Sequence, residues 1–268
     1  MMKKTMLFLT LFSTALSTQA HRVWIQTDHT HGGEILKADL GYGEFPTLEQ
    51  IPEKRLSFFE RGVSLYTQNG KQMLIQKGEH NYHFETEKPI DEGSYIVAGE
   101  YKPTFWSKNA EGWKQADMKA TPNASYCELT AMYGKNIVNV GHESAGINVI
   151  SKQIGHELEI VPMDNPANIN VSDPFKVKVL FRGEPLAGAT LTATFDGFDT
   201  ADNSKTHKVE AQAFSDVTGD DGTVAIIPLR QGFWKAQITH EVPFKDATQC
   251  QKAKYYATLT FNIGRQYH

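Results

Sequence analysis

The tightest constraint on the fold is a punctuation pattern. Short runs rich in β-branched and aromatic residues recur along the chain, among them residues 55–60, 72–76, 95–99 and 137–140, and turn signals such as Asn69-Gly70, Asp91-Glu92-Gly93 and Glu111-Gly112 fall among them. Such runs suit half-buried strands, and Gly-containing turns reverse the chain between them. Long helical periodicity is scarce; residues 124–135 are the one segment expected to form a short helix. Many short strands must bury alternate faces against a second sheet, so the expected class is all-β, built as sandwiches.

A second unit begins near His156. Residues 157–161 read as an entry strand that Pro162 and Pro166 break off. Residues 175–181 (FKVKVLF) alternate apolar and polar, as a strand with one buried face does. Strands are also expected at 190–195, 223–229, 232–238 and 255–263. The expected organisation is a segment at 1–20 that is removed, a β-rich domain at 21–154 and a β-sandwich at 155–268.

The removable segment is a secretory signal peptide. Lys3 and Lys4 make a positive start, an apolar run extends from Met6 to Leu16, and Thr18 and Ala20 place small residues at the minus-three and minus-one positions. The run is shorter than the roughly 20 residues needed to span a bilayer. The expected mature chain starts at His21 in the bacterial periplasm or a similar oxidising space. There Cys127 and Cys250 can form a disulfide tying the two halves together, or remain two buried thiols. The full sequence carries a net charge of −4, and loss of Lys3 and Lys4 makes the mature chain more acidic. That balance is unfavourable for nucleic acid and compatible with a cation.

His21 is the sharpest candidate for chemistry. As the first residue of a mature chain it offers its α-amine and its ring Nδ1, which together close a six-membered chelate. An α-amine has a pKa of about 8, so a metal displaces its proton at little cost near neutral pH. Further imidazoles would complete a nitrogen-rich site suited to Ni²⁺, and also to Cu²⁺, Co²⁺ or Zn²⁺. Asp28-His29-Thr30-His31 supplies candidates, because residues two apart on an extended stretch project to one side. Gly32-Gly33 then marks a turn, which places His29 and His31 in a loop. The expected metal ligands are therefore His21, His29 and His31. His80, His83, His142, His156, His207 and His240 are read as ordinary surface or partly buried residues, and His268 as a terminal one.

Other motifs carry less. Asp216, Asp220 and Asp221 depart from the EF-hand spacing and read as a hairpin turn. Asn123-Ala124-Ser125 fits the short glycosylation acceptor pattern. There is no G-x-S-x-G elbow, no H-E-x-x-H, no phosphate loop and no dinucleotide fingerprint, so the expectation is a binding protein rather than an enzyme.

Two sets of residues carry a family resemblance. Gly183–Ala189 (GEPLAGA), Asp220-Asp221-Gly222 and Gly232-Phe233-Trp234 resemble the turns and core strand of transthyretin-like, immunoglobulin-type modules. With His21-Arg22-Val23-Trp24 at the mature start and Tyr256–Phe261 (YATLTF) near the end, the chain is similar to a family of exported bacterial proteins. These are periplasmic accessory components of energy-coupling-factor-type nickel or cobalt uptake systems. The resemblance implies a nickel-handling role beside a membrane transporter, and only His21 carries over as a matching position. Two alternatives stand beside it. One is a copper histidine-brace monooxygenase built on His21. The other is a metal-free adhesion or carbohydrate-binding module using Trp24, Trp106, Trp113 and Trp234.

Overall fold

The computed structural model describes residues 21–142, 146–198 and 210–265. The signal-peptide segment, His207 and His268 lie outside them. The N-terminal half runs through β1 (Arg22–Thr27), β2 (Lys37–Gly43), a single helical turn α1 (Glu53–Leu56) continued by a 3-10 turn (Ser57–Phe59), β3 (Val63–Thr67), β4 (Gly70–Met73), β5 (Ile75–Gln76) and β6 (His83–Glu85). The long β7 (Gly93–Asn109), the short β8 (Gly112–Lys114) and the long β9 (Tyr126–Val140) follow. The remainder contains β10 (Leu158–Pro162), β11 (Phe175–Phe181), β12 (Glu184–Pro185), β13 (Thr190–Phe195), β14 (Phe214–Val217), β15 (Thr223–Ile226), β16 (Gly232–Pro243) and β17 (Lys252–Ile263). The class is all-β and sandwich-like, as the turn pattern implies.

These strands form three layers. One small sheet has the order β1-β2-β6-β5, and a second joins β10, β11 and β12, with β15 also on β11. Between them lies a nine-stranded sheet of order β14-β13-β16-β17-β9-β7-β3-β4, with β8 on β7. Successive side chains of a strand point to opposite faces, and the middle sheet uses both. Ile96, Ala131, Tyr133, Tyr255 and Ala257 enter the core under the C-terminal small sheet. Their neighbours Val97, Met132 and Tyr256 enter the core under the N-terminal one. β9 and β17, paired in parallel, thus join strands from the two halves of the chain into one sheet.

Two segments differ from expectation. Residues 124–135 do not form a helix; they belong largely to β9. A strand buried on both faces is a continuous apolar run, which periodicity cannot separate from a helix. Conversely, residues 55–60, expected as a strand, form α1 and the 3-10 turn. The helical turn buries the adjacent Phe58 and Phe59 together against Tyr101, which an alternating strand with one buried face cannot do.

The middle sheet carries buried charge. Lys135 and Glu159, both almost fully enclosed, pair at 2.9 Å, and Lys135 Nζ also donates to the Ile160 carbonyl at 3.1 Å. His156 packs on Tyr133 with ring centroids 4.8 Å apart, and neither ring nitrogen has a hydrogen-bond partner among the described residues. Burial, reinforced by the positive charges of Lys135 and Lys71, pushes His156 well below its ordinary pKa. An unfolded chain takes up a proton here below about pH 6.5 that the folded chain refuses. The contribution of His156 to stability is therefore full above that pH and declines as pH falls toward the depressed folded value. Thermal melts at pH 7.5 and 5.5 are expected to show a smaller acid-induced drop for His156→Phe than for the parent chain. An equal drop would assign the acid sensitivity elsewhere.

β1 is the element that positions the candidate ligands. Thr258 Oγ1 donates to the Val23 carbonyl at 2.7 Å, and Thr260 Oγ1 donates to the Ile25 carbonyl. Thr27 Oγ1 donates to Asn136 Oδ1 at 2.9 Å. The approach is close enough that a Cβ on Gly134 would sit 3.1 Å from Val23 Cγ1 and 3.2 Å from Trp24 Cα. β1 is thereby held against the middle sheet along its length, with His21 before its first residue and Asp28-His29 after its last.

Candidate metal centre

The loop leaving β1 is short and tied at several points. Asp28 N–H donates to the Lys37 carbonyl at 3.3 Å, and Gly33 N–H donates to the Ile90 carbonyl at 2.8 Å. Gly33 takes a positive φ of 86°, the left-handed turn for which glycine is the least strained residue. Within this loop His29 and His31 turn to one side, with Nε2 atoms 3.4 Å apart. The pairing expected from their two-residue spacing is present.

The third member comes from elsewhere. Gly141 follows β9, and its N–H donates to the carbonyl of the buried Thr30 at 2.9 Å. That bond sets His142 against the loop, with its Nε2 3.2 Å from His31 Nε2. The ring centroids of His142 lie 5.0 Å from His31 and 5.7 Å from His29. One nitrogen from each of the three rings falls within 4.8 Å of the others. A tetrahedral ion with metal–nitrogen bonds of about 2.0–2.1 Å needs nitrogens about 3.3 Å apart. The two short edges match that spacing. His29 and His31 are half-buried and His142 is exposed, so one side stays open to solvent.

Glu34 supports His31. Its Oε2 accepts the His31 backbone N–H at 2.8 Å and lies 3.5 Å from His31 Nδ1. The backbone hydrogen bond from His31, with the nearby imidazole, holds the exposed Glu34 carboxyl below its ordinary pKa. A carboxylate on Nδ1 favours the tautomer that leaves Nε2 free to bind a metal, and orients the ring. Glu34→Gln is expected to weaken metal affinity about tenfold without removing a ligand. Calorimetry showing unchanged affinity would exclude this role.

His21 is not part of this group. It lies at the other end of β1, about 20 Å away at roughly 3.3 Å per residue, with its ring edge-on to Tyr42 at 5.2 Å between centroids. The structure therefore brings together two of the three expected ligands and adds His142, expected as an ordinary residue. No local spacing points to His142, since it stands 111 residues from His31. Of the other histidines, the buried His156 departs from the expected surface or partly buried setting, whereas His80 and His83 have ordinary surroundings. His83 is held by Asp39 at 2.6 Å, and His80 stacks on Tyr82 at 5.0 Å. Asp221 closes its turn by accepting from Thr223 N–H and Oγ1 at 3.0 and 2.6 Å.

No helix among the described residues is long and apolar enough to cross a membrane. No curated protein matches the chain. Among solved structures, the D0-D1 domain of Intimin superposes with a TM-score of 0.22 at 12% identity, covering 88% of this chain and 96% of that one. The three N-terminal domains of the bacteriophage RB49 highly immunogenic outer capsid protein (Hoc) give 0.19 at 10% identity, with coverages of 90% and 59%. At these scores neither neighbour bears on function. The family model described as a domain of unknown function (DUF4198) matches residues 18–242, a span that takes in His21, His29, His31, Glu34 and His142, and the chain belongs to that family.

Proposed function

We propose that this protein is exported to the periplasm, captures a divalent metal ion, Ni²⁺ first, and passes it to a membrane uptake transporter without itself catalysing a reaction. The observation that carries the reading is the convergence of His29, His31 and His142 nitrogens at metal-binding spacing. Imidazole suits Ni²⁺, and also Cu²⁺, Co²⁺ and Zn²⁺. An open side on three protein ligands suits hand-over, because an acceptor can add its own ligand before the donor releases the ion. The resemblance to accessory components of nickel uptake systems favours Ni²⁺ among these metals. A copper brace on His21 needs another imidazole beside it, and the three-histidine group lies a strand's length away.

The test is calorimetric titration of Ni²⁺ at pH 7.5 into the chain starting at His21 and into one with a single Ala placed ahead of it. Equal one-to-one binding to both is the expected result, because the added residue disables only the His21 amine. Loss of binding in the extended form would move the ion to the N-terminus. Absence of binding in both would overturn the reading.

A further inference from the structure

Near the start of β1 lies a groove of about 770 Å³ that the metal reading does not use. This lies within the range of about 300–1,000 Å³ typical of small-molecule sites. Its walls are aromatic. Tyr42 and Trp106 line one part, and Trp113 and Tyr126 meet at a near-right angle with centroids 5.7 Å apart in another. Trp113 is 39% exposed, a large ring left open to solvent at the rim of a groove.

The charge of the groove runs against that of the protein. Arg55, Lys108 and Lys254 line it, against the single carboxylate of Glu128, on a chain whose net charge is −4. Glu128 is already engaged by the Tyr126 hydroxyl at 2.6 Å and Thr130 Oγ1 at 3.1 Å. Lys254 is paired with Glu241 at 3.1 Å. Arg55 and Lys108 have no carboxylate partner among the described residues. Arg55 lies over the Trp106 ring at 4.6 Å from its centroid, and Lys108 over Trp113 at 6.0 Å. A guanidinium stacked on a ring keeps its in-plane donors available to a carboxylate.

We propose that this groove binds an acidic carbohydrate. Flat aromatic faces take the C–H face of a pyranose, the hydroxyl oxygens of Ser125 and Tyr126, whose protons go to the Lys108 carbonyl and Glu128, accept from sugar hydroxyls, and Arg55 and Lys108 take the carboxylate. Of the four tryptophans, Trp106 and Trp113 belong to the groove, while Trp24 and Trp234 are fully buried in the core. The proposal is independent of the metal reading, because the groove and the three histidines lie at opposite ends of β1.

The experiment is titration of tetragalacturonate into the chain starting at His21, followed by tryptophan fluorescence and calorimetry, with neutral galactotetraose and benzoate as comparisons. The expected result is saturable binding of the acidic oligomer, at least about tenfold weaker binding of the neutral one, and no displacement by benzoate. Trp113→Ala and Arg55→Met are each expected to weaken binding about tenfold, with circular dichroism unchanged as the check on folding. Absence of tetragalacturonate binding, equal binding of the neutral oligomer, or indifference to both substitutions would overturn the proposal. Displacement by benzoate would do so too, by assigning the groove to aromatic acids. Ni²⁺ titration of the same variants reads the other site separately.

Discussion

His142→Ala will lower Ni²⁺ affinity at least about 100-fold, more than a change in a supporting residue, which typically costs 10–100-fold. His142 is exposed and follows the last residue of β9 by two positions. Substitution at such a surface site usually changes stability by no more than about 0.5 kcal/mol. The loss will therefore report a ligand, not a damaged fold. The parent chain and the variant should show the same melting temperature without metal, and only the parent should be stabilised by added Ni²⁺, because a ligand that binds the folded state alone raises stability by mass action. If His142→Ala binds Ni²⁺ as the parent does, the three-histidine centre is wrong, whatever happens on mutation of His29 and His31.

The second large effect is on stability. Cys127 and Cys250 are joined by a disulfide across 123 residues, and both are fully buried. The bond sits where β9 and β17 begin to run together, since Lys252 is in register with Glu128. In the chain-entropy account, closing a loop of that length removes about 5 kcal/mol of freedom from the unfolded chain. Replacing both cysteines with Ala is expected to lower the melting temperature by about 10–20 °C, at roughly 2–4 °C per kcal/mol for a chain of this size. Reduction of the parent chain should reproduce most of that shift. A drop of a degree or two in both experiments would mean that the parallel strand pair holds without its covalent tie.

β11 and β13 have the expected bounds, and in β11 the alternation of residues 175–179 marks its buried face. β9 was legible only at its end, residues 137–140, because Ala131, Tyr133 and Ile137 serve one core and Met132, Val138 and Val140 the other. Burial on both faces erases the period of two. The candidate centre divides in the same way. His29 and His31 are two residues apart on one loop, and their convergence follows from local geometry. His142 reaches them only because β1 lies against β9 and the Gly141 N–H meets the Thr30 carbonyl. That is a tertiary fact with no local signature. The separation of His21 from the pair follows from the length of β1, which runs between them as an extended strand.

The position of β17 has a consequence for biogenesis. It is the last described strand in chain order, yet in the middle sheet it stands between β16 and β9. Until it arrives, both neighbours present unpaired backbone, the kind of edge that recruits strands from other chains. A product truncated before Lys252 would lose the join between the two halves and carry two such edges, and so would aggregate in preference to accumulating as a soluble fragment. The central layer closes only once residues 252–263 are made, after every other described strand, so until then the nascent chain carries the two parts of that layer unjoined.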